Sequence, residues 1–141
     1  MNAARVNAAG RRYEYLVSIL IKPGTALSAL TDYIDKRGTI LYSVDTLTEL
    51  VDVLHRRKFG KYTRPEDIAA FVQWVITTGE LVAVDEAVTA SRDSKDDKFL
   101  SLAVTGQADY LISGDKDLLV LGQIRTIPIV STAAFLASVN H

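Results

Sequence analysis

The segment Arg92–Leu119, RDSKDDKFLSLAVTGQADYLISGDKDLL, sets carboxylates at two places where strand or loop gives way to helix. Asp93, Asp96 and Asp97 precede the apolar run Phe99, Leu100, Leu102, Ala103, while Asp115 and Asp117 follow the strand-like Tyr110–Ser113. Glu49 adds a third position, one helical turn after a β-branched stretch at Thr39–Tyr42. Carboxylates that converge repel one another, and a bound divalent cation is the usual compensation. All-oxygen ligands suit Mg²⁺ or Mn²⁺ rather than softer metals. Such an ion polarises a phosphoryl oxygen and lowers the pKa of a bound water, so the chemistry would be metal-assisted phosphodiester hydrolysis. The same residues also read as helix caps. Thr46-x-x-Glu49 and Ser94-x-x-Asp97 fit capping boxes. Asp115 is placed to cap a short helix whose dipole favours Asp117.

The acids matter only if the elements bring them together. Hydrophobic spacing predicts helices over Ala26–Lys36, Asp45–Arg57, Arg64–Thr77, Ser94–Thr105, Asp115–Leu121 and Thr132–Val139. Strands are expected at Thr39–Tyr42, Leu81–Val84, Tyr110–Ser113 and Ile127–Val130, and Tyr13–Ile21 fits either a strand or the start of a helix. This alternation predicts an α/β fold, a parallel sheet flanked by helices on both faces. Ligands of such sheets bind outside the carboxyl ends of the strands. Glu49, Asp97 and Asp115 all follow strands, so all three are expected near that edge, with Asp93 one turn from Asp97.

The 141 residues are enough for one domain, expected over 13–139 after a loose segment 1–12. A net charge of −1 gives no overall basic field. Arg56, Arg57, Lys58, Lys61 and Arg64 nevertheless cluster, as a solvated helix end or as contacts for RNA phosphates. The absence of cysteine and the presence of only His55 and His141 argue against thiolate or zinc sites. No apolar run has spanning length and Met1–Arg12 lacks the apolar middle of a signal peptide, so no membrane partner and a cytoplasmic setting are expected. Phe71 and Trp74 read as core residues, and His55 as a surface one.

Ser43…Thr48-Glu49-Leu50, Arg56-Arg-Lys-Phe59, Arg92–Leu100 and Ser113-Gly-Asp-Lys-Asp-Leu-Leu119 resemble the PIN-domain proteins, in order, over about Leu16 to Leu136. The bacterial toxins of toxin–antitoxin pairs are the branch it looks most like. The resemblance implies a Rossmann-like sheet of about five parallel strands and a Mg²⁺- or Mn²⁺-dependent endoribonuclease. It makes Glu49, Asp97 and Asp115 the catalytic, metal-binding acids, with Asp93 and Asp117 auxiliary to the metal. Ser113 matches a hydroxyl residue at the substrate, beside phosphate contacts from Arg56, Arg57, Lys58 and Lys61. RNA, an antitoxin protein and a second copy of the chain are the implied partners.

The pattern departs from the family at the N-terminus. The family opens with a strand ending in Asp-Thr-Asn, followed by an apolar helix that Leu16–Ile21 matches. In that register Arg12 replaces the leading Asp. If Tyr13–Ile21 is instead the strand, Glu14 sits at its amino end and Lys22 faces the site. Both registers leave the leading carboxylate missing. A weakened nuclease and a catalytically silent binding module, pairing with an antitoxin-like protein or itself, are therefore both expected outcomes.

Overall fold

The computed structural model describes residues 14–18, 25–56, 64–89 and 96–139. The described strands form one six-stranded sheet. Its elements in chain order are β1 (Glu14–Ser18), α1 (Thr25–Arg37), β2 (Gly38–Tyr42), α2 (Val44–His55), α3 (Pro65–Thr78), β3 (Glu80–Leu81), α4 (Asp97–Gly106), β4 (Tyr110–Ile112), α5 (Lys116–Leu121), β5 (Gln123–Ile124), β6 (Ile127–Val130) and α6 (Thr132–Val139). The strand order is β3-β2-β1-β4-β6-β5, parallel except for β5, which runs antiparallel to β6. The expected α/β architecture is present, with the short β5 as an addition to the sequence reading.

Period-2 alternation explains why the sheet is covered twice. Leu16, Ile40 and Ile112 enter one core with Leu30, Ile34, Val75 and Phe135. Their strand neighbours Val17, Leu41 and Leu111 enter the other, with Phe99, Leu100, Ala103 and Leu118. Strands with apolar residues on both faces are buried parallel strands. Each fully buried Leu or Ile contributes roughly 1.5–3 kcal/mol of burial free energy. Phe135 anchors α6 by edge-to-face contact with Tyr33 and Tyr110, at centroid distances of 5.2 and 4.9 Å. Phe71 and Trp74 pack at the margin of this core, and the Trp74 indole N–H donates to Asp35 Oδ1 at 2.9 Å, tying α3 to α1. Gly79 lets α3 turn straight into β3, because a Cβ there would lie 2.5 Å from the Val75 oxygen and 2.8 Å from that of Ile40.

The N-terminal register is the main correction. Leu16–Ser18 belongs to β1, not to a helix following a lost strand. β1 is the central strand: Leu16 is in register with Ile40 of β2 on one side and Tyr110 of β4 on the other. The apolar sequence satisfied both periodicities, and pairing on both flanks decides for strand. Arg12 precedes β1 in the chain and lies outside the described residues, as do Lys22, Arg57, Lys58, Lys61 and Asp93. The β3 strand is shorter than expected at Glu80–Leu81, and α4 begins at Asp97 rather than Ser94.

Candidate active site

The carboxyl ends of β1 and β2 frame a cavity closed by α2 and α4. Its walls include Ser18 from β1, Tyr42 from β2, Thr46 and Glu49 from α2, and Asp96 and Phe99 around the start of α4. The cavity has a volume of about 70 Å³. That is room for a few waters or a small hydrated ion, not for a base.

Local capping determines which acids reach it. β2 ends at Tyr42, so α2 starts at Val44 and its N-cap is Ser43. Ser43 Oγ accepts from the Thr46 N–H at 3.1 Å, and Thr46 Oγ1 accepts from the Ser43 N–H at 2.9 Å. The capping box is therefore Ser43-x-x-Thr46, not Thr46-x-x-Glu49. Glu49 is released from the cap, and its carboxylate accepts from Lys98 Nζ at 3.0 Å and lies 3.8 Å from Arg56 Nη2. The predicted Ser94-x-x-Asp97 box is also displaced, since Ser94 lies outside the described residues and the residue at the N-cap of α4 is Asp96. The Asp96 side chain makes no capping hydrogen bond, although it is only 8% exposed. Asp96 lies in the cavity wall, as Glu49 does. Sequence reasoning named Asp96 beside its neighbours but chose Asp97. The burial that separates them depends on where α4 begins, a boundary that spacing does not fix.

Of the other predicted residues, the described ones, Arg56, Asp97, Ser113, Asp115 and Asp117, lie outside the walls of this cavity. Asp97 opens α4 half-buried, and its carbonyl accepts from Ser101 Oγ at 2.9 Å. Asp115 is the N-cap of α5, with Oδ1 accepting the Asp117 N–H at 2.8 Å, as the cap reading expected. Ser113 is buried and its Oγ accepts the Asp115 N–H at 2.9 Å, so the hydroxyl shapes the turn that carries this acid. Among the described residues, no group of three or more His, Asp or Glu side chains is assembled to hold a metal.

The comparisons with known proteins bear on the family and the fold. A model of the PIN domain matches residues 14–117, beginning at the first residue of β1. The chain belongs to the PIN domain family. A crystal structure of PAE2754 from Pyrobaculum aerophilum shares the fold of this PIN domain at a TM-score of 0.51 and 19% identity, over 89% of this chain and 88% of that one. A search of curated proteins finds no match. Family membership gives the chain a nuclease-type fold. Ser18, the last described residue of β1, lines the cavity.

The divalent metal that the family implies can be tested against these residues. Glu49, Asp96 and Ser18 line one small cavity whose remaining walls are mainly apolar. Mg²⁺ commonly takes one or two carboxylates and keeps several waters, so two acids are the least that would hold it here. Glu49 is also claimed by Lys98, which sets a cation against the metal for the same oxygens.

Proposed function

We propose that this PIN domain is a Mg²⁺- or Mn²⁺-dependent endoribonuclease of low activity, acting as the toxin half of a toxin–antitoxin pair. The observation that carries the hydrolase reading is the pair Glu49 and Asp96 at one cavity, at the strand ends where α/β folds bind their ligands. RNA as substrate and an antitoxin as partner rest on the sequence resemblance. When bound, the metal supplies charge neutralisation at a phosphoryl oxygen and an acidified water.

The chain's own residues have separable tasks. Asp96, buried, and Glu49, on the rigid second turn of α2, would hold the ion. Ser18 would offer its hydroxyl as a hydrogen-bonding group in the cavity, a weaker contribution than a carboxylate makes. Arg56, exposed at the end of α2 and close to Glu49, would take a phosphate of the RNA backbone. Asp97 and Asp115 would act as auxiliary acids along the same sheet edge, with Ser113 fixing the Asp115 turn.

The test is cleavage of mixed-sequence single-stranded RNA with Mn²⁺, beside EDTA and an Asp96→Asn variant. Cleavage by the unaltered chain that is lost in both controls is the expected result. No cleavage by folded protein overturns the nuclease reading in favour of a silent binding module. That second reading draws on the ion pairs of Glu49 with Lys98 and Arg56, which already neutralise the acid without a metal.

A further inference from the structure

We infer that residues 82–88 are a strap clasped onto α4 at two points, an outer ionic catch between Glu86 and Arg125 and an inner catch on Ser101. The inference goes beyond the nuclease reading and needs no ligand in the cavity. The strap begins where β3 ends, with the Val82 N–H donating to the Tyr42 oxygen at 2.8 Å. Val82 packs beside Gly106, the last residue of α4, where an added Cβ would lie 3.4 Å from its Cγ2. At the other end the Val88 N–H donates to Ser101 Oγ at 2.8 Å, and both valines pack against the core. The strap therefore runs antiparallel to α4 from Gly106 to Ser101, about 7.5 Å of helix axis. Extended chain of that length would reach about 20 Å. The surplus bows outward, and residues 83–87 are all exposed.

Arg125 occupies backbone that suits another residue. It lies in the turn between the paired Ile124 and Ile127 at φ 55°, the left-handed region that favours glycine or asparagine. Its guanidinium donates to Glu86 Oε2, at the bow of the strap, a task that glycine could not perform. Both side chains of the pair are about half exposed, at 56% and 46%, so salt weakens the outer catch. The inner catch is of another kind. Ser101 is buried among Phe99, Leu100, Leu102 and Ala103, and its Oγ accepts from Val88 while donating to the Asp97 oxygen at 2.9 Å. One hydroxyl thus joins the strap to the first turn of α4. That turn also carries Lys98, which donates to Glu49 of α2, so the strap bears on the wall of the cavity. Releasing the outer catch frees the bow and leaves Val88 held by Ser101 alone. The first turn of α4 loosens only when Ser101 lets go.

The experiment is amide hydrogen exchange on the full chain, read at Val88, at position 101 and in β1 and β4. It is run at about 0.1 M and about 1 M salt, which shortens the screening length from about 10 Å to about 3 Å. Arg125→Gly suits the turn and removes the outer catch, and Glu86→Gln removes it from the other side. Each should speed Val88 exchange roughly two- to fivefold at low salt, the range an exposed ion pair supports. High salt should do the same to the unaltered chain and nothing further to either variant. Ser101→Ala should speed Val88 exchange by about tenfold or more at both salts, and speed exchange at position 101 as well. Amides of β1 and β4 should keep their protection in the two surface variants, which separates strap release from global unfolding. Val88 exchange indifferent to salt and to both surface variants overturns the outer catch. Unchanged Val88 exchange in Ser101→Ala overturns the inner one, and unchanged exchange at position 101 overturns its hold on α4.

Discussion

The two ends of β1 use carboxylates in opposite ways. At the amino end, Asp109 Oδ2 accepts the Tyr15 N–H at 2.7 Å while the Asp109 N–H donates to the Tyr15 oxygen at 2.7 Å. That acid is consumed in fastening the strand to the loop before β4. At the carboxyl end, Ser18 opens onto a cavity walled by Glu49 and Asp96, neither of which caps its helix. One acid completes the backbone hydrogen bonding of the sheet. The others line a cavity at the strand ends, and Glu49 is there paired with Lys98 and Arg56. The neighbouring environment reinforces the contrast, since at the amino end burial, and then the Glu14 carboxylate, push the Tyr33 phenol above its ordinary value.

The contrast breaks first at Asp96. Asp96→Asn keeps the shape and removes the charge, so Mn²⁺-dependent RNA cleavage should fall by roughly 100-fold, or about 2.7 kcal/mol of transition-state stabilisation. The melting temperature in EDTA should be unchanged or higher, because a buried charge has been removed. A large loss of stability in EDTA would place Asp96 with Asp109 among the structural acids and remove the distinction between the two ends.

Asp109→Ala probes the fastened end. Removing the acceptor leaves the Tyr15 N–H without its partner, at a cost of about 1–3 kcal/mol measured by urea unfolding. Mn²⁺ affinity should not change. A loss of metal binding at equal folded fraction would mean that the two ends are coupled through β1.

Ser18→Asp sharpens the comparison by restoring an acid at the site end. It should lower the Mn²⁺ dissociation constant by about tenfold, or 1.4 kcal/mol, as one more oxygen ligand joins two. In EDTA the same substitution should destabilise, since three carboxylates would then face one cavity. The reversal of sign between the two conditions is the informative result. Destabilisation in both would place the Ser18 side chain away from the metal position.

The elements were legible in the sequence wherever periodicity had one reading. Leu47, Leu50 and Leu54 could only be a helix face, and Ile127–Val130 only a strand, and both are observed. Glu14–Ser18 was ambiguous because EYLVS satisfies both periods, and only pairing with β2 and β4 resolves it. Glu49 was expected at the strand ends because it follows a strand by one helical turn, and it lines the cavity there. That Asp96 and not Asp97 lines the cavity was not legible, because it turns on a one-residue helix boundary. The Lys98–Glu49 pair spans 49 positions and depends on α2 and α4 closing over the same strand ends, which no local pattern encodes.

Asp115→Ala gives the smallest expected effect and divides the cap reading from the metal reading of that acid. As an N-cap, Asp115 satisfies the Asp117 N–H, and α5 has only six residues over which to spread the loss. Truncation should cost about 1 kcal/mol in urea unfolding, the ordinary value of such a cap. Asp115→Asn retains an amide oxygen that can accept the same N–H, so it should recover most of that stability. If the cap is the whole role, both variants leave Mn²⁺ affinity and RNA cleavage where they were. If Asp115 also serves the metal, Asp115→Asn separates the functions: the fold is rescued while Mn²⁺ affinity falls, because an amide is a poorer ligand for a hard cation than a carboxylate. That second outcome would extend the site from the Glu49–Asp96 cavity across the end of β4.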